Sequence, residues 1–454
     1  MTNWRVVLLI IVSIAIWYGR WMSGLQTWQS GDLVRITAPV IQQPTVKSTP
    51  WGQGYQWVWL GVGSEIVGVK MGQWDDINYG DLIQIQGRIE PIEINSDLSF
   101  LPRPLYELFK NNLTPKRWTI PVADVQMKTL NQSGLSMARK QVVNLFRVSL
   151  PYNESALLGG MVFGDKQGIS KEFSNMLVRS GTLHVVVASG FNVMLIGGTL
   201  VSISLLWVRR QIAVLIGFVG IWLYISFIGF EAPVVRAGIM GSLAFWGIAY
   251  GQIRNTGWLL VISSIVMLWW RPMWLWDTGF QLSVMATAGL IWIDPILKFA
   301  IDRLFLKLKK LTNSSEFFLS GVFNVLQKMG VISSLSTTLS AQLAVVPILL
   351  LTFGQVSLWS PLVNMLVLWT VPYVTGLGMA ISIGYILLGN WSESIFQVFL
   401  WCLWPFLKFF VVLNYWFGQF DTLNWYIPWW VVFIYFGLLI WGIGFINKQE
   451  WFKS

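Results

Sequence analysis

The chain contains 454 residues, of which 55% are hydrophobic and only 11% are charged, whereas soluble domains carry about 25% charged residues. This composition excludes a chain that is soluble as a whole, and apolar runs of about 20 residues in the second two-thirds of the chain predict a polytopic α-helical membrane protein. The net charge of +10 has two explanations that stay open, namely Lys- and Arg-rich cytoplasmic loops or a polyanion partner, and the single cysteine excludes an intramolecular disulfide.

Residues 1–24 are predicted to form an N-terminal transmembrane helix. The apolar run from Val6 to Tyr18 lies between Arg5 and Arg20, and no convincing small-x-small cleavage site follows it. Aromatic residues at its end are typical of an anchor at the membrane interface. We therefore expect a retained helix that enters the membrane from the cytoplasm.

Residues 25–132 are predicted to form a small extracytoplasmic β domain. Apolar and polar residues alternate in short runs there, as they do in half-buried strands. The roughly five predicted strands are 31–36, 56–60, 65–70, 81–86 and a last strand made by 118–122 with 125–127. This number of short strands in roughly a hundred residues predicts an OB-like barrel, with a different small β domain as the alternative.

The remainder of the chain is predicted to lie on and in the membrane. Residues 133–150 are predicted to form an amphipathic helix on the membrane surface, where Arg139, Lys140 and Arg147 oppose an apolar face. Residues 151–454 form the predicted transmembrane domain. Its predicted spans are 183–208, 212–230, 234–251, 257–270, 273–293, 331–353, 361–388, 395–417 and 429–446. With the N-terminal helix they make roughly ten.

Positive charge predicts how these spans are oriented. If the chain starts inside the cell, the basic residues between later spans fall on one side of the membrane. They are Arg209, Arg210, Arg254, the stretch Lys298–Lys310, Lys448 and Lys453. We therefore expect a multi-pass protein of the cytoplasmic membrane with both termini in the cytoplasm and the strand-rich segment outside.

A polar segment interrupts the first predicted span of the transmembrane domain. His184, the only histidine, lies with Ser189 and Asn192 in an apolar run that also contains Gly181 and Gly190. Membranes tolerate a broken helix only inside protein or along a water path. On an ideal helix His184 and Ser189 would lie about 140° apart, so the two can meet only across a break. A pore or gate, a structural polar cluster and hydrolysis by a Ser/His pair stay open as explanations.

Two opposite charges flank a proline at the junction of the next two spans. Glu231 precedes Pro233, which breaks the helix, and Arg236 follows it. One explanation is a structural ion pair. The other is that Arg236 attracts phosphates at a pore mouth while Glu231 orients it.

Further polar residues lie in or beside three later spans. Asp277 and Gln281 are four residues apart and share a helix face with Ser283 close by, while Gln342 and Asn364 follow in later spans. Single polar residues often join membrane helices, but several in different spans favour an aqueous route. We expect these residues to line the substrate path together with His184 and Arg236.

Two kinds of site are not expected from the sequence. No phosphate-binding loop of the GxxxxGK[ST] type and no convincing cluster of metal ligands occurs in the chain. We therefore expect no cofactor, no metal and no catalytic residue.

The polar motifs together resemble those of the ComEC-type family of DNA-internalisation channels. The matching segments are Gly181-Thr182-x-His184 with Ser189-Gly190, Pro233-x-x-Arg236-Ala237-x-x-Met240, Gly279-Phe280-Gln281-Leu282-Ser283, Ser340-Ala341-Gln342 with Pro347, and Asn364. They cover about residues 150–380 in the family's order. Each motif is weak alone, whereas their joint order is specific. The strand-rich segment resembles the OB-like domain that usually precedes such a channel.

This resemblance implies a membrane channel for single-stranded DNA in natural transformation rather than an enzyme. The implied partners are single-stranded DNA, a cytoplasmic translocase, single-strand-binding proteins, a separate nuclease, a DNA receptor and a second copy of the chain. Asn192 stands where the family commonly has a second histidine, and the metallo-β-lactamase-like domain of many members is expected to be absent. A membrane hydrolase or glycan-processing enzyme that uses His184 and Ser189, and a transporter of another polyanion or of a lipid-linked substrate, are the alternatives.

Overall fold

The computed structural model is mostly helical, with a strand-rich region near the N-terminus. It describes residues 31–40, 45–48, 54–62, 65–72, 77, 81–92, 117–120, 126–131, 134–165, 168–186, 189–251, 255–271, 274–275, 277–311, 331–389, 393–425, 430–432 and 434–439. The predicted N-terminal transmembrane helix lies outside the described residues. Half of the last predicted span, 429–446, lies outside them as well.

Eight strands lie in the described part of the N-terminal region, and the predicted strands are among them. They are β1 (Leu33–Pro39), β2 (Thr45–Ser48), β3 (Gly54–Val62), β4 (Glu65–Gly72), β5 (Leu82–Arg88), β6 (Glu90–Ile92), β7 (Arg117–Ile120) and β8 (Gln126–Asn131). The alternation in the sequence is reproduced in the fold. In β5, for example, Ile83 and Ile85 are fully buried while Gln84 and Gln86 are half-buried.

The strands pair in two sheets around one apolar core. One sheet has the order β2-β3-β4-β7-β6 and the other β1-β5-β8. β4 and β7 are parallel, whereas all other neighbours in these two sheets are antiparallel. A bridge between Val40 and Leu60 joins the sheets on one side, and the chain continues from β5 through buried Ile89 to β6 on the other.

The helical part begins with an amphipathic helix. This helix, α1 (Gly134–Ser149), is the predicted surface helix and packs on α2. The helices that follow are α2 (Tyr152–Phe163), α3 (Lys171–Ser180), α4 (Leu183–Val186), α5 (Gly190–Ser204), α6 (Arg210–Ile228), α7 (Ala232–Ala249), α8 (Thr256–Trp270), α9 (Thr278–Ala288), α10 (Asp294–Leu311), α11 (Val331–Phe353), α12 (Ser360–Val367), α13 (Val371–Leu388) and α14 (Glu393–Phe417). Two short strands, β9 (Gln355–Val356) and β10 (Leu423–Asn424), pair with each other.

Six helices of the described chain are long and apolar enough to cross a membrane. They are Arg210–Ile228, Ala232–Ala249, Thr278–Ile301, Leu335–Phe353, Val371–Leu388 and Glu393–Phe417. The apolar helices Gly190–Ser204 and Thr256–Trp270 are shorter. Six of the predicted spans therefore correspond to described helices that meet the length and composition of a span, while the predicted first span and half of the last one lie outside the described residues.

Two predicted spans are broken in the structure. The span predicted at 183–208 is divided into α4 and α5, and the span predicted at 361–388 is divided into α12 and α13. In the second case Pro372 lies in the first turn of α13, where its missing N–H is tolerated. The same proline cannot continue α12, because its ring would clash with the carbonyl four residues earlier.

One predicted span runs on further than expected. The span predicted at 273–293 starts as α9 after Asp277 and continues through a π-helical turn, Gly289–Ile293, into α10. Gly289 lets this turn approach α11, because a Cβ there would lie 2.5 Å from the Ser340 carbonyl oxygen.

Candidate functional site

The polar segment at 181–192 begins at a helix end that requires glycine. α3 ends at Ser180, and Gly181 adopts a left-handed conformation with φ of 79°. The N–H of Thr182 donates to the Leu177 carbonyl at 2.9 Å and that of Gly181 to the Val178 carbonyl at 3.1 Å, which is the Schellman pattern. A Cβ at position 181 would lie 2.4 Å from the Cβ of Ser360, so Gly181 also permits close packing on α12.

A buried hydroxyl–amide group holds this turn to α14. The hydroxyls of Ser180 and Thr182 both donate to Oδ1 of Asn414, and the Asn414 amide donates to the Phe410 carbonyl at 2.8 Å. Ser180, Thr182 and Asn414 are fully buried. The start of the polar segment is therefore fixed against α12 and α14.

His184 and Ser189 lie between the two helical pieces of the broken span. His184 is in α4, where its side chain is exposed. Ser189 precedes α5 with an extended backbone, and its side chain makes no capping bond. No hydrogen bond joins His184 to Ser189 in the described chain, so the geometry supplies no nucleophile–base pair for hydrolysis.

The far end of the polar segment packs on α7 beside Arg236. A Cβ at Gly190 would lie 2.9 Å from the Ala237 Cβ and 3.8 Å from Nη2 of Arg236. Gly190 therefore permits close packing on α7, whereas Gly181 is needed for its backbone conformation. The two glycines place the two ends of one broken segment against two different sets of helices.

Arg236 is held by hydroxyl groups rather than by a carboxylate. Its Nε donates to Ser283 Oγ at 2.8 Å, and its Nη1 donates to Thr287 Oγ1 and contacts Met240 Sδ at 3.5 Å. The side chain is 9% exposed. Among the residues that the structure describes, no carboxylate forms an ion pair with Arg236. We call Arg236, Ser283 and Thr287 the arginine cluster.

The structural ion pair between Glu231 and Arg236 was one of the two explanations, and the structure does not form it. Glu231 instead acts on the charge of Arg139 in α1. Burial lowers the pKa of Arg139, while the charges of Asp165 and Glu231 raise it. Arg236, in contrast, has no carboxylate partner among the described residues, so its positive charge stays available to an anion.

Asn192 is a structural contact at the end of α2. Its amide nitrogen donates to the Met161 carbonyl at 2.8 Å, and Asn192 is 1% exposed. The next two carbonyls, of Val162 and Phe163, accept from the Tyr224 hydroxyl at 3.3 Å and from Arg139 Nη2 at 2.9 Å. Side chains from three separate helices thus satisfy three successive carbonyls that a helix C-terminus leaves unpaired.

Asp277 and Gln281 stabilise the start of α9. The Asp277 carboxylate accepts from the Phe280 N–H at 2.8 Å as an N-cap, and the Gln281 amide donates to the Leu275 carbonyl at 2.9 Å. A Cβ at Gly279 would lie 3.6 Å from the Pro233 ring. The start of α9 therefore packs on the start of α7, and the two motif segments come together there.

Gln342 and Asn364 converge near Gly181. Gln342 donates to the Ser357 carbonyl at 3.0 Å, and Asn364 donates to Ser360 Oγ at 3.1 Å. Ser360 Oγ donates to the Gly181 carbonyl at 3.5 Å. We call these five residues the amide cluster.

Several buried side-chain oxygens along this segment have no hydrogen-bond partner among the described residues. They are Asn192 Oδ1, Ser340 Oγ, Gln342 Oε1, Ser357 Oγ and Asn364 Oδ1. Buried polar atoms are normally hydrogen-bonded, so these oxygens are suited to accept from water or from a polar substrate.

The structure thus brings the predicted residues into two clusters at the ends of one broken segment. Ser283 and Arg236 meet in the arginine cluster, Gln342 and Asn364 meet in the amide cluster, and His184 lies on the segment between them. Glu231, Asp277, Gln281 and Asn192 have the local contacts described above. Sequence reasoning missed Thr287, Ser357, Ser360 and Asn414, and only the spacing of Ser283 and Thr287, one turn apart on one helix, could have indicated any of them.

Comparisons with known proteins agree with the motif resemblance. Residues 161–449 match the model of the family described as Competence protein, a range that contains every predicted site residue. The chain is 26% identical over 268 residues to ComE operon protein 3 of Bacillus subtilis (strain 168), which covers 58% of this chain and 30% of that protein. It is 23% identical over 200 residues to the uncharacterized protein YcaI of Escherichia coli (strain K12), and this match covers 39% of this chain and 26% of that protein. The chain thus matches less than a third of the length of either relative, and no solved structure matches it.

Proposed function

Because the chain belongs to the competence-protein family, we propose that its helical part passes single-stranded DNA across the cytoplasmic membrane during DNA uptake. The observation that carries this proposal is Arg236, a buried cation bonded to two hydroxyls. Its Nη2 lies beside Gly190 and contacts no acceptor among the described residues. Planar guanidinium donors match phosphate geometry well, so this group suits a phosphodiester backbone that moves past the broken segment.

The amide cluster adds a neutral, hydrogen-bonding surface to the same route. A backbone that crosses a membrane needs binding that is favourable enough to enter and weak enough to leave. One guanidinium followed by neutral polar side chains meets this requirement better than a row of cations. His184 is the residue between the two clusters that we assign to the lining or gate.

The strand-rich region supports an OB-like domain in front of the channel. In the first sheet, β3 pairs with β4, β4 runs parallel to β7, and β7 pairs with β6. The chain passes from β6 back to its neighbour β5, which pairs with β1 in the second sheet and completes the circuit around the core. This closed order, with a single parallel pair, is the order of a five-stranded OB barrel. We place this domain outside the cell and both termini in the cytoplasm.

The energy for transport would come from other proteins under this proposal. A cytoplasmic translocase or single-strand-binding proteins would draw in the emerging strand, and a separate nuclease and a DNA receptor would act before entry. A channel formed by two copies of the chain is compatible with this scheme.

Reconstitution in liposomes tests the proposed function. A single-strand-binding protein is enclosed, fluorescent single-stranded DNA is added outside, and protected fluorescence is measured after external nuclease treatment. We expect entry of single strands but not of duplex DNA. We also expect Arg236→Gln to reduce entry at least 10-fold, with Arg236→Lys intermediate, because lysine keeps the charge but not the planar donors.

The matched control is Arg210→Gln, since Arg210 is an exposed arginine at the start of α6. Equal entry through wild type and Arg236→Gln, at equal protein levels in the liposomes, would remove Arg236 from the proposed path. Equal entry of duplex and single strands would contradict a single-strand channel.

A further inference from the structure

A pair of tryptophans lies on the outer face of the strand-rich region. Trp57 and Trp59 of β3 alternate with Val58 and Leu60, which are fully buried, so the indole rings lie on the face opposite the core. Their ring centroids are 5.4 Å apart and their planes differ by 9°. Both side chains remain partly exposed. The rings are thus neither core residues nor part of a membrane-spanning helix.

The neighbouring strand is shaped to accommodate this pair. In the register of β3 with β4, Trp57 faces Lys70 and Trp59 faces Gly68. A Cβ at Gly68 would lie 2.8 Å from ring atoms of both tryptophans. Such a distance is shorter than a Cβ contact can be, so a side chain at this position would displace the rings. Gly68 therefore allows both indoles to rest against the sheet.

A positive charge accompanies the stacked rings. The Lys70 Nζ lies 5.3 Å from the centroid of the Trp57 ring, within the range of a cation–π contact. Glu90 lies at the opposite side of the same sheet, where it faces Thr119 across the β6–β7 pair.

This combination matches the chemistry of an unpaired nucleic acid strand. Aromatic rings stack on bases of any sequence, and an adjacent cation meets the phosphate that follows the base. A duplex hides its base faces and cannot stack in this way. We propose that Trp57, Trp59 and Lys70 form a platform that binds the bases and backbone of single-stranded DNA.

The platform rests on the proposed function for its ligand, because DNA uptake supplies the single strand. It goes beyond that function by assigning a binding site outside the helical part, with named residues. Its failure can also be recognised separately, because binding is measured without passage.

Binding is measured on the full chain in nanodiscs of uncharged lipid by fluorescence anisotropy. The probes are a labelled single-stranded oligonucleotide, its duplex, and an abasic oligomer of the same length that keeps the phosphates but lacks bases. We expect Trp59→Leu and Trp57→Leu each to weaken binding of the single strand about 10-fold and to leave binding of the abasic oligomer unchanged. We expect Lys70→Gln to weaken both and to lower the salt dependence by about one ion.

Two further variants guard against a folding defect. Trp59→Phe keeps an aromatic face and should retain most of the affinity. Trp207→Leu removes a tryptophan that is 80% exposed after α5 and should change nothing. Gly68→Ala should weaken binding by displacing the rings while Trp57 and Trp59 are still present.

Defined outcomes overturn the platform. They are wild-type affinity in both leucine variants, equal affinity of wild type for the abasic oligomer and the single strand, or displacement of the single strand by an uncharged oligosaccharide. Unchanged binding in Arg236→Gln together with lost passage keeps the platform and the channel as separate sites. Lost binding in Trp59→Leu with normal passage removes the assigned role in uptake but leaves the channel.

Discussion

Asn192 and Met161 are joined by a hydrogen bond of 2.8 Å from a side-chain amide to a carbonyl at the end of a helix. The bond connects the second half of the broken span to the C-terminus of α2. Tyr224 and Arg139 satisfy the two carbonyls that follow. Helix α1, helix α6 and the broken segment are therefore tied to one helix end, which gives Asn192 a positioning role independent of any contact with substrate.

Replacing Asn192 should show whether the hydrogen bond to the Met161 carbonyl matters, rather than the asparagine side chain as such. Asn192→Leu leaves the Met161 carbonyl buried without a donor, which costs about 1–3 kcal/mol. Asn192→His supplies a ring N–H at the position where the resembling family commonly has histidine, so it should keep most of the stability. Thermal unfolding in detergent measures the difference. Equal midpoints for the leucine and histidine variants would contradict the positioning role.

The turn at Gly181 should not tolerate a side chain. Gly181→Ala places an L-residue in a left-handed conformation, at a cost of about 1–2 kcal/mol, and adds a clash with Ser360. We expect a clear loss of thermal stability and of DNA passage. Gly198→Ala in α5 is the matched control, since a Cβ there meets nothing within 4 Å. The double variant Gly181→Ala with Ser360→Gly should recover only the part of the loss that comes from the clash.

The hydroxyl of Thr182 should contribute more to thermal stability than the methyl group of the same side chain. Thr182→Val keeps the volume of the side chain but removes the donor to Asn414, so it should destabilise the protein by about 1 kcal/mol or more. Thr182→Ser keeps the donor and loses only a methyl group. We expect the order wild type, serine, valine in thermal stability. A valine variant as stable as wild type would show that the contact with Asn414 contributes nothing.

A water-filled route predicts which positions react with polar reagents. Cys402 is the only cysteine and is exposed, so Cys402→Ser provides a cysteine-free background. In that background we expect His184→Cys, at an exposed site, to react with a small charged thiol reagent, and single-stranded DNA to slow the reaction. Ser382→Cys, at a site that is 1% exposed inside α13, is the control. A reaction rate at His184 no faster than at Ser382 would exclude an aqueous path between the clusters.

Local patterns predicted much of the fold, because they report which side of an element is buried. Alternation of apolar and polar residues predicted β3 and β5, and the length of the apolar runs predicted α6, α7 and α14. The division of the span predicted at 361–388 was missed, because apolar length outweighed the proline signal at Pro372. Strand β6 was missed because three residues carry too little alternation to be recognised.

The site was predicted as a set of residues but not as an arrangement. The glycines at 181 and 190 indicated a break, and the break is present. The contact between Ser180 and Asn414 joins residues 234 positions apart, and no local pattern encodes it. Sequence alone also does not show that Arg236 forms no ion pair with a carboxylate of the described residues, because Glu231 is only five residues away along the chain while its charge affects Arg139.

The two hydroxyl contacts of Arg236 have a consequence for how long a phosphate stays. Ser283 and Thr287 engage Nε and Nη1, so in the proposed channel a phosphate would meet chiefly the Nη2 group beside Gly190. A guanidinium with every donor available would form a bidentate grip on each phosphodiester and arrest the strand. Because part of the guanidinium is already engaged, we expect each residence to be brief, so that Arg236 would favour continuous movement of the strand over its retention.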